Sequence, residues 1–374
     1  MSNTITEISN SKRMVKSSDK DQVRKKITES KTFLVPFTLE ETKENITIST
    51  NDPSKTSQEQ IINQAIQFHL KGNIAEATKC YKQLISQGCN DHRVFSNYGI
   101  ILKNLGNLKE AEISYRKAIE LNPNFAQAHY NLGNILKDLG NLEEAERSTR
   151  KAINLNPSCD NSHFNLGNIL KDLGKLQEAE SSLRKAIEIN PTFTKAHLNL
   201  GGILKDLGKL EEAESSLCKA IEIDPTFAMA HSNLGIIFQN LGKLHEAEIS
   251  LRKAIELNPN FVEAHNNLGS ILQDLKKGTE AEVSFRKAIE IRPDYADSYY
   301  NLGLILMNKG ELDDAFYNFH RAISLKKNYN IAIGRLGEVF MKKGEYLEGI
   351  KKLREGYGCI IFDYSSSKMN ICSK

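Results

Sequence analysis

The chain has 374 residues, 40% of them hydrophobic, with 50 Lys and Arg against 47 Asp and Glu for a formal charge of +3. Eight of those cations but only four of the carboxylates lie in residues 1–31, so the remainder is nearly neutral, which argues against a protein built to neutralise a nucleic-acid backbone. There is no run of ~18 apolar residues to insert in a membrane and no apolar leader in MSNTITEISNSKRMVKSSDK, while six irregularly spaced cysteines without a CxxC suit free thiols in a cytoplasmic, reducing compartment.

Residues 1–57 are rich in Ser, Thr, Lys, Asp and Glu and lack periodicity outside Phe33–Leu39. Such a segment buries too little apolar area to offset its ordering entropy, so the expectation is a mostly disordered polar tail. It either has no role or docks on a partner through its basic run or its FLVPF segment.

From Gln58 a period of 34 residues takes over. Gly99, Gly133, Gly167, Gly201, Gly235, Gly269, Gly303 and Gly337 keep that step without insertion or deletion, as do eight alanines from Ala77 to Ala315. A fixed period of this length is the mark of a solenoid, in which each repeat buries its apolar face against its neighbours. Nine repeats can be counted over 58–363, with 58–91 and 330–363 divergent, and a tail at 364–374.

The repeat 126–159, AQAHYNLGNILKDLGNLEEAERSTRKAINLNPSC, predicts two helices, Ala126–Leu139 and Leu142–Leu155, with Gly140 and Asn141 at the turn between them. Pro157 closes it, as Pro123, Pro191, Pro225, Pro259 and Pro293 close others, because proline cannot continue the second helix. Gly133, Ala145 and Ala152 are small enough to let the two backbones approach. The i,i+4 pairs Glu112–Arg116, Glu146–Arg150, Glu180–Arg184, Glu248–Arg252 and Glu282–Arg286 decorate the second helices and add about 0.2–0.5 kcal/mol each. In the last repeat Gly349 and Gly356 replace the alanines, Ile361 the proline, and Arg335 an asparagine, as befits an end that meets water. The closing YGCIIFDYSSSKMNICSK holds a short apolar run from Cys359 to Phe362, which is expected either to cap the last helices or to be the opening strand of a domain that this chain lacks.

The string NLGNILKDLGNLEEAE with KAINLNP resembles the tetratricopeptide repeat at its Gly, Ala, Ala and Pro positions. The resemblance covers about 58–356 and is close over 92–329; the strings are most similar to bacterial arrays and to the repeat region of protein O-linked N-acetylglucosamine transferases. It implies an all-α solenoid, a right-handed superhelix of antiparallel helix pairs, first helices lining the concave side and second helices the convex side.

Within each first helix, at ~100° per residue, positions 3, 4, 7, 8, 10, 11 and 14 cluster on one apolar side, and positions 2, 6, 9 and 13 lie opposite. Position 6 is Asn97, Asn131, Asn165, Asn199, Asn233, Asn267 and Asn301, and position 9 adds Asn134 and Asn168. A carboxamide carries a donor and an acceptor that match a peptide group, so either a row of them holds an extended partner without reading its sequence, or the asparagines serve only the local structure of the repeat. In the glycosyltransferase arrays that this chain resembles, such a row holds substrate peptide. Tyr130 and Phe164 at position 5 would take partner side chains, and Lys137, Lys171 and Lys205 at position 12 would meet acidic groups or simply be solvated. The resemblance also implies what is missing: the carboxylate clamp of chaperone-binding members needs Lys at position 5, which no repeat here has.

His129, His163, His197, His231 and His265 recur at position 4 on the buried side and are expected to pack there, because ~8–10 Å between helices is too far for shared zinc ligation. No Walker loop, HExxH, GxGxxG or GxSxG is present, so no catalytic residues, metal or cofactor are expected. The expected function is a non-catalytic scaffold for a protein or peptide partner. The alternative is a substrate-recruiting component of a glycosyl- or other group-transfer system with its catalytic domain on another chain, and self-association through the end repeats is also open.

Overall fold

A computed structural model describes residues 53–363 and 368–372, with side chains described from Gln58 to Gly358. The expected polar tail lies, up to residue 52, outside the described residues, as does most of the segment 364–374. Among the described residues, those up to Leu121 and those from Asn122 form two compact blocks.

The first block holds α1 (Pro53–Leu70), α2 (Ile74–Ser86), α3 (His92–Asn104) and α4 (Leu108–Leu121). Helix α1 begins ahead of the repeat boundary expected at residue 58. Its core gathers Ile62, Ile66, Tyr81, Leu84, Val94 and Ile101. Asp91 caps α3 by accepting from the Arg93 N–H at 2.8 Å, and the Arg93 guanidinium ties Asp91 to Glu59 on α1 at 2.7 and 2.9 Å.

The second block repeats the same pair seven times. Its first helices are α5 (Ala126–Asp138), α7 (Asp160–Asp172), α9 (Thr194–Asp206), α11 (Ala228–Asn240), α13 (Val262–Asp274), α15 (Ala296–Lys309) and α17 (Asn330–Lys342). Their partners are α6 (Leu142–Leu155), α8 (Leu176–Ile189), α10 (Leu210–Ile223), α12 (Leu244–Leu257), α14 (Gly278–Ile291), α16 (Leu312–Leu325) and α18 (Tyr346–Tyr357). The expected pair in 126–159 is thus found within one residue of its predicted ends.

The turn inside each pair is set by one left-handed residue. Gly140 sits at φ +82°, which lets the Asn141 N–H reach back to the Leu136 carbonyl at 2.8 Å and close the end of α5. In the repeat 262–295 that duty falls to Lys276, at φ +63°, while the glycine stands two residues later at Gly278, where most other repeats carry a leucine.

The position-8 glycine packs against position 24 of its partner helix. A Cβ on Gly201 would lie 2.7 Å from Leu217 Cγ, and one on Gly269 would lie 2.6 Å from the Phe285 ring. The alanines, Ala145, Ala179, Ala213, Ala247 and Ala281, are fully buried across the same seam. Leu166, Leu170, Leu183, Leu200 and Leu204 share one core cluster across neighbouring repeats, and Leu268, Leu272, Phe285, Leu306 and Phe319 share a second toward the C-terminal end, with Phe238 packed against both.

Among the described residues one departure from a purely helical chain follows α18. Strands β1 (Cys359–Asp363) and β2 (Lys368–Cys372) pair antiparallel, Ile361 opposite Asn370. The Cys359–Phe362 run is therefore a hairpin strand whose partner comes from the next few residues.

Candidate peptide-binding face

In the second block, neighbouring first helices touch directly. Asn199 Nδ2 donates to Asn168 Oδ1 at 2.7 Å, and Asn266 Oδ1 accepts from Ser298 Oγ at 2.9 Å and from Asn301 Nδ2 at 3.1 Å. Neighbouring second helices are instead held apart by open grooves of about 540 and 650 Å³, floored by the next first helix through His163 and Leu166, or His197 and Leu200. The stack therefore bends toward its first helices, which form the inner wall.

The position-6 carboxamides do not all face that wall. Asn131 is 1% exposed and Asn165 5%, and in the first block Asn97 is 2%. Gln127 Nε2 donates to Asn131 Oδ1 at 3.0 Å, and Asn165 turns its Nδ2 to Thr149 Oγ1 on the preceding second helix at 3.4 Å. This corrects the expectation that all seven would be presented to a ligand: position 6 borders the seam, and polar neighbours close over it. Asn199, Asn233, Asn267 and Asn301 keep partial exposure.

The accessible inner wall is carried more by the flanking positions. Asn134 and Asn168 at position 9 are half-exposed, and every position-13 residue from Asp138 to Asn308 is exposed. Tyr130 and Phe164 are half-buried: desolvation raises the Tyr130 hydroxyl above the usual tyrosine range, and the Phe164 ring lies 4.8 Å from that of Phe193 at the end of the same repeat. Lys137 reaches Asp172 at 3.6 Å and Lys205 meets Asp206 at 3.3 Å, whereas Lys171 is exposed with no ion-pair partner among the described residues. The row of lysines thus has carboxylates beside it and is not a basic stripe.

The recurring histidines do more than fill space. Nε2 of His129, His163, His197, His231 and His265 donates to the carbonyl of Pro123, Pro157, Pro191, Pro225 and Pro259 at 2.9–3.1 Å, each linking a first helix to the turn before it. The bond selects the tautomer protonated at Nε2. Tyr299 takes the same place with its hydroxyl on the Pro293 carbonyl at 3.2 Å. Among the described residues no three His, Cys, Asp or Glu side chains gather to hold a metal ion.

All five expected i,i+4 pairs form, Glu112–Arg116 in the first block and the other four on the outer wall of the second, and sequence reasoning missed their extension between repeats. Glu146, Glu180, Glu214 and Glu248 also accept from Lys175, Lys209, Lys243 and Lys277 of the following repeat at 2.8 Å. Glu180 is held below the ordinary carboxylate range chiefly by its hydrogen bond from Lys209, with Arg184 adding to it against the cost of burial. The signal was available in the column of lysines at position 16.

The chain belongs to the tetratricopeptide repeat family. Models of the TPR repeat match residues 99–140, 201–242 and 271–310, and models of the tetratricopeptide repeat match 126–159, 161–193, 228–261, 182–215, 250–282 and 296–329. Repeats of this family build protein–protein interaction scaffolds, and the family is generally non-catalytic. No curated protein matches the sequence. Among solved structures, a tetratricopeptide repeat protein from Parabacteroides merdae is 21% identical with TM-score 0.53, over 67% of this chain and 99% of its own. The Cut9–Hcn1 hetero-tetramer of the APC/C is 15% identical with TM-score 0.56, over 76% of this chain and 56% of its own. YrrB, described as a TPR protein with an unusual peptide-binding site, is 28% identical with TM-score 0.44, over 50% of this chain and 97% of its own. The first two share the fold. No helix among the described residues is long and apolar enough to cross a membrane.

Proposed function

We propose that the chain is a cytoplasmic, non-catalytic scaffold that holds an extended partner segment along the inner wall of residues 126–329. The observation that carries the reading is the run of half-exposed carboxamides Asn199, Asn233, Asn267 and Asn301, continued by Asn134 and Asn168. Donor and acceptor on each suit the acceptor and donor of a peptide group, so recognition works through the partner's backbone. The exposed Asp and Asn of position 13 and the half-buried Tyr130, Phe164 and Tyr300 border this strip and act on partner side chains.

Each amide bond contributes about 0.5–1.5 kcal/mol net, so four together contribute ~2–6 kcal/mol. Replacing Asn199, Asn233, Asn267 and Asn301 by Ala weakens partner binding about 30-fold or more in this reading. A photo-crosslinking residue at Asn168 or Ser270, used in the native cell, yields partner adducts that the fourfold variant loses while its helicity is unchanged. Adducts that persist in that variant, or that arise only from a probe at Ser215 on the outer wall, would refute the assignment.

A further inference from the structure

The outer wall of residues 228–329 carries a feature that partner binding on the inner wall does not use. At position 22 of three consecutive second helices, α12, α14 and α16, stand Ile249, Val283 and Tyr317, exposed by 69%, 68% and 63%. In the three preceding repeats the same position holds Arg147, Ser181 and Ser215, also exposed. Three consecutive large apolar side chains in register on an outer face are therefore a property of this half of the second block, although Ile113 at the same position in the first block is also 67% exposed. A row of this kind marks an interaction surface.

The charges around the row indicate what covers it. One turn before each apolar residue is a carboxylate, Glu246, Glu280 or Asp314; one turn after it are cations, Arg252 and Lys253, Arg286 and Lys287, or Arg321. Each helix thus runs from acidic to apolar to basic across the strip. Glu246, Asp314 and Arg321 form no ion pair among the described residues, whereas Arg252 already bridges Glu248 and Glu280. A surface with this order complements itself when turned end for end about the apolar row.

We propose that a second copy of this chain covers the row, packing α12, α14 and α16 antiparallel on their equivalents. Ile249, Val283 and Tyr317 then meet their own counterparts along the two-fold axis. Asp314 of one copy faces Arg321 of the other, and the reverse, as an isologous interface requires. The opposite choice, helices parallel, sets acidic strips against acidic strips and is disfavoured. Each of the three helices has 14 residues and is ~21 Å long, and open grooves part them, so the contact is confined to their three ridges and the dimer is concentration-dependent and not obligate.

Sedimentation equilibrium of the full chain from about 1 to 200 μM, with circular dichroism as the check on folding, tests the proposal. The expected result is a reversible rise from monomer to dimer mass. Substitution Ile249→Asn with Val283→Asn and Tyr317→Asn, all at exposed positions, weakens the dimer at least tenfold. Asp314→Arg alone and Arg321→Asp alone each weaken it, and the two together restore it, because the swap re-forms the pairs between copies. A monomer at every concentration overturns the proposal. So does a dimer that ignores these changes but dissociates on Leu347→Asn, since Leu347, 87% exposed on α18, would report association through the end repeat.

Discussion

Two adjacent glycines in α9 provide the sharpest test of how the helices pack. Gly201 and Gly202 lie in the same helix interior, so alanine at either should gain about 0.5–1 kcal/mol of helix propensity. Gly202 has nothing within 4 Å of a new Cβ, and that gain should appear in full. At Gly201 the new Cβ lies 2.7 Å from Leu217 Cγ and 3.4 Å from the Ala213 carbonyl oxygen. Leu217 is fully buried, so the two helices must part or the side chain must leave its rotamer, at about 1–3 kcal/mol. The net expectation is destabilisation of ~0.5–2 kcal/mol for Gly201→Ala and stabilisation of under ~1 kcal/mol for Gly202→Ala. Urea unfolding of the full chain, fitted with nearest-neighbour coupling because the repeats need not unfold in one step, gives both values. The paired variant Gly201→Ala with Leu217→Val should cost less than the sum of its parts, since valine vacates the crowded space. Equal effects at the two glycines, or full additivity with Leu217→Val, would show that the seam is not where close packing is enforced.

Two further outcomes are expected. Exchanging the misplaced turn residues by Lys276→Gly with Gly278→Leu removes a left-handed lysine, ~1 kcal/mol, and adds a half-buried leucine at a point where Gly278 meets nothing; hydrogen exchange of residues 262–295 should slow several-fold, and faster exchange would contradict the turn assignment. Glu146, Glu180, Glu248 and Glu282 are each held below the ordinary carboxylate pKa, first by the lysine of the next repeat. Their stabilisation is therefore complete above the unfolded value of about 4.5 and is lost as pH falls through their lower folded values. Thermal melts should decline with acidification below about pH 5, less so in 1 M salt, and a melting temperature flat to pH 3 would exclude a stabilising role for the inter-repeat bonds.

Much of the fold was legible in the sequence because its signals are local. Gly140 and Pro157 mark where helices stop through the backbone alone, and a 34-residue step repeats that message until the register is beyond doubt. The hairpin after α18 was not legible as such: the short apolar run Cys359–Phe362 suited either a cap or the first strand of a further domain, and only its pairing with Lys368–Cys372 makes it a hairpin.

The inner face was read less well, and the reason is geometric. A helical wheel assigns each position an angle about its own axis, and by that measure Asn131 and Asn233 are equivalent. Whether a carboxamide at that angle meets solvent depends on what the adjoining side chains do. Gln127 folds over Asn131 and Thr149 draws in Asn165, while Met229 and Ser232, standing where Gln127 and Tyr130 stand in the earlier repeat, leave Asn233 partly open. The histidine–proline bonds and the lysine–glutamate bonds between repeats share that origin, for they join residues 6 and 29 apart whose approach no single helix dictates. Sequence alone thus determined the elements, their register and their end signals, which depend on the chain's own backbone. Which polar groups remain free for a partner was decided only by the stacking of one repeat on the next.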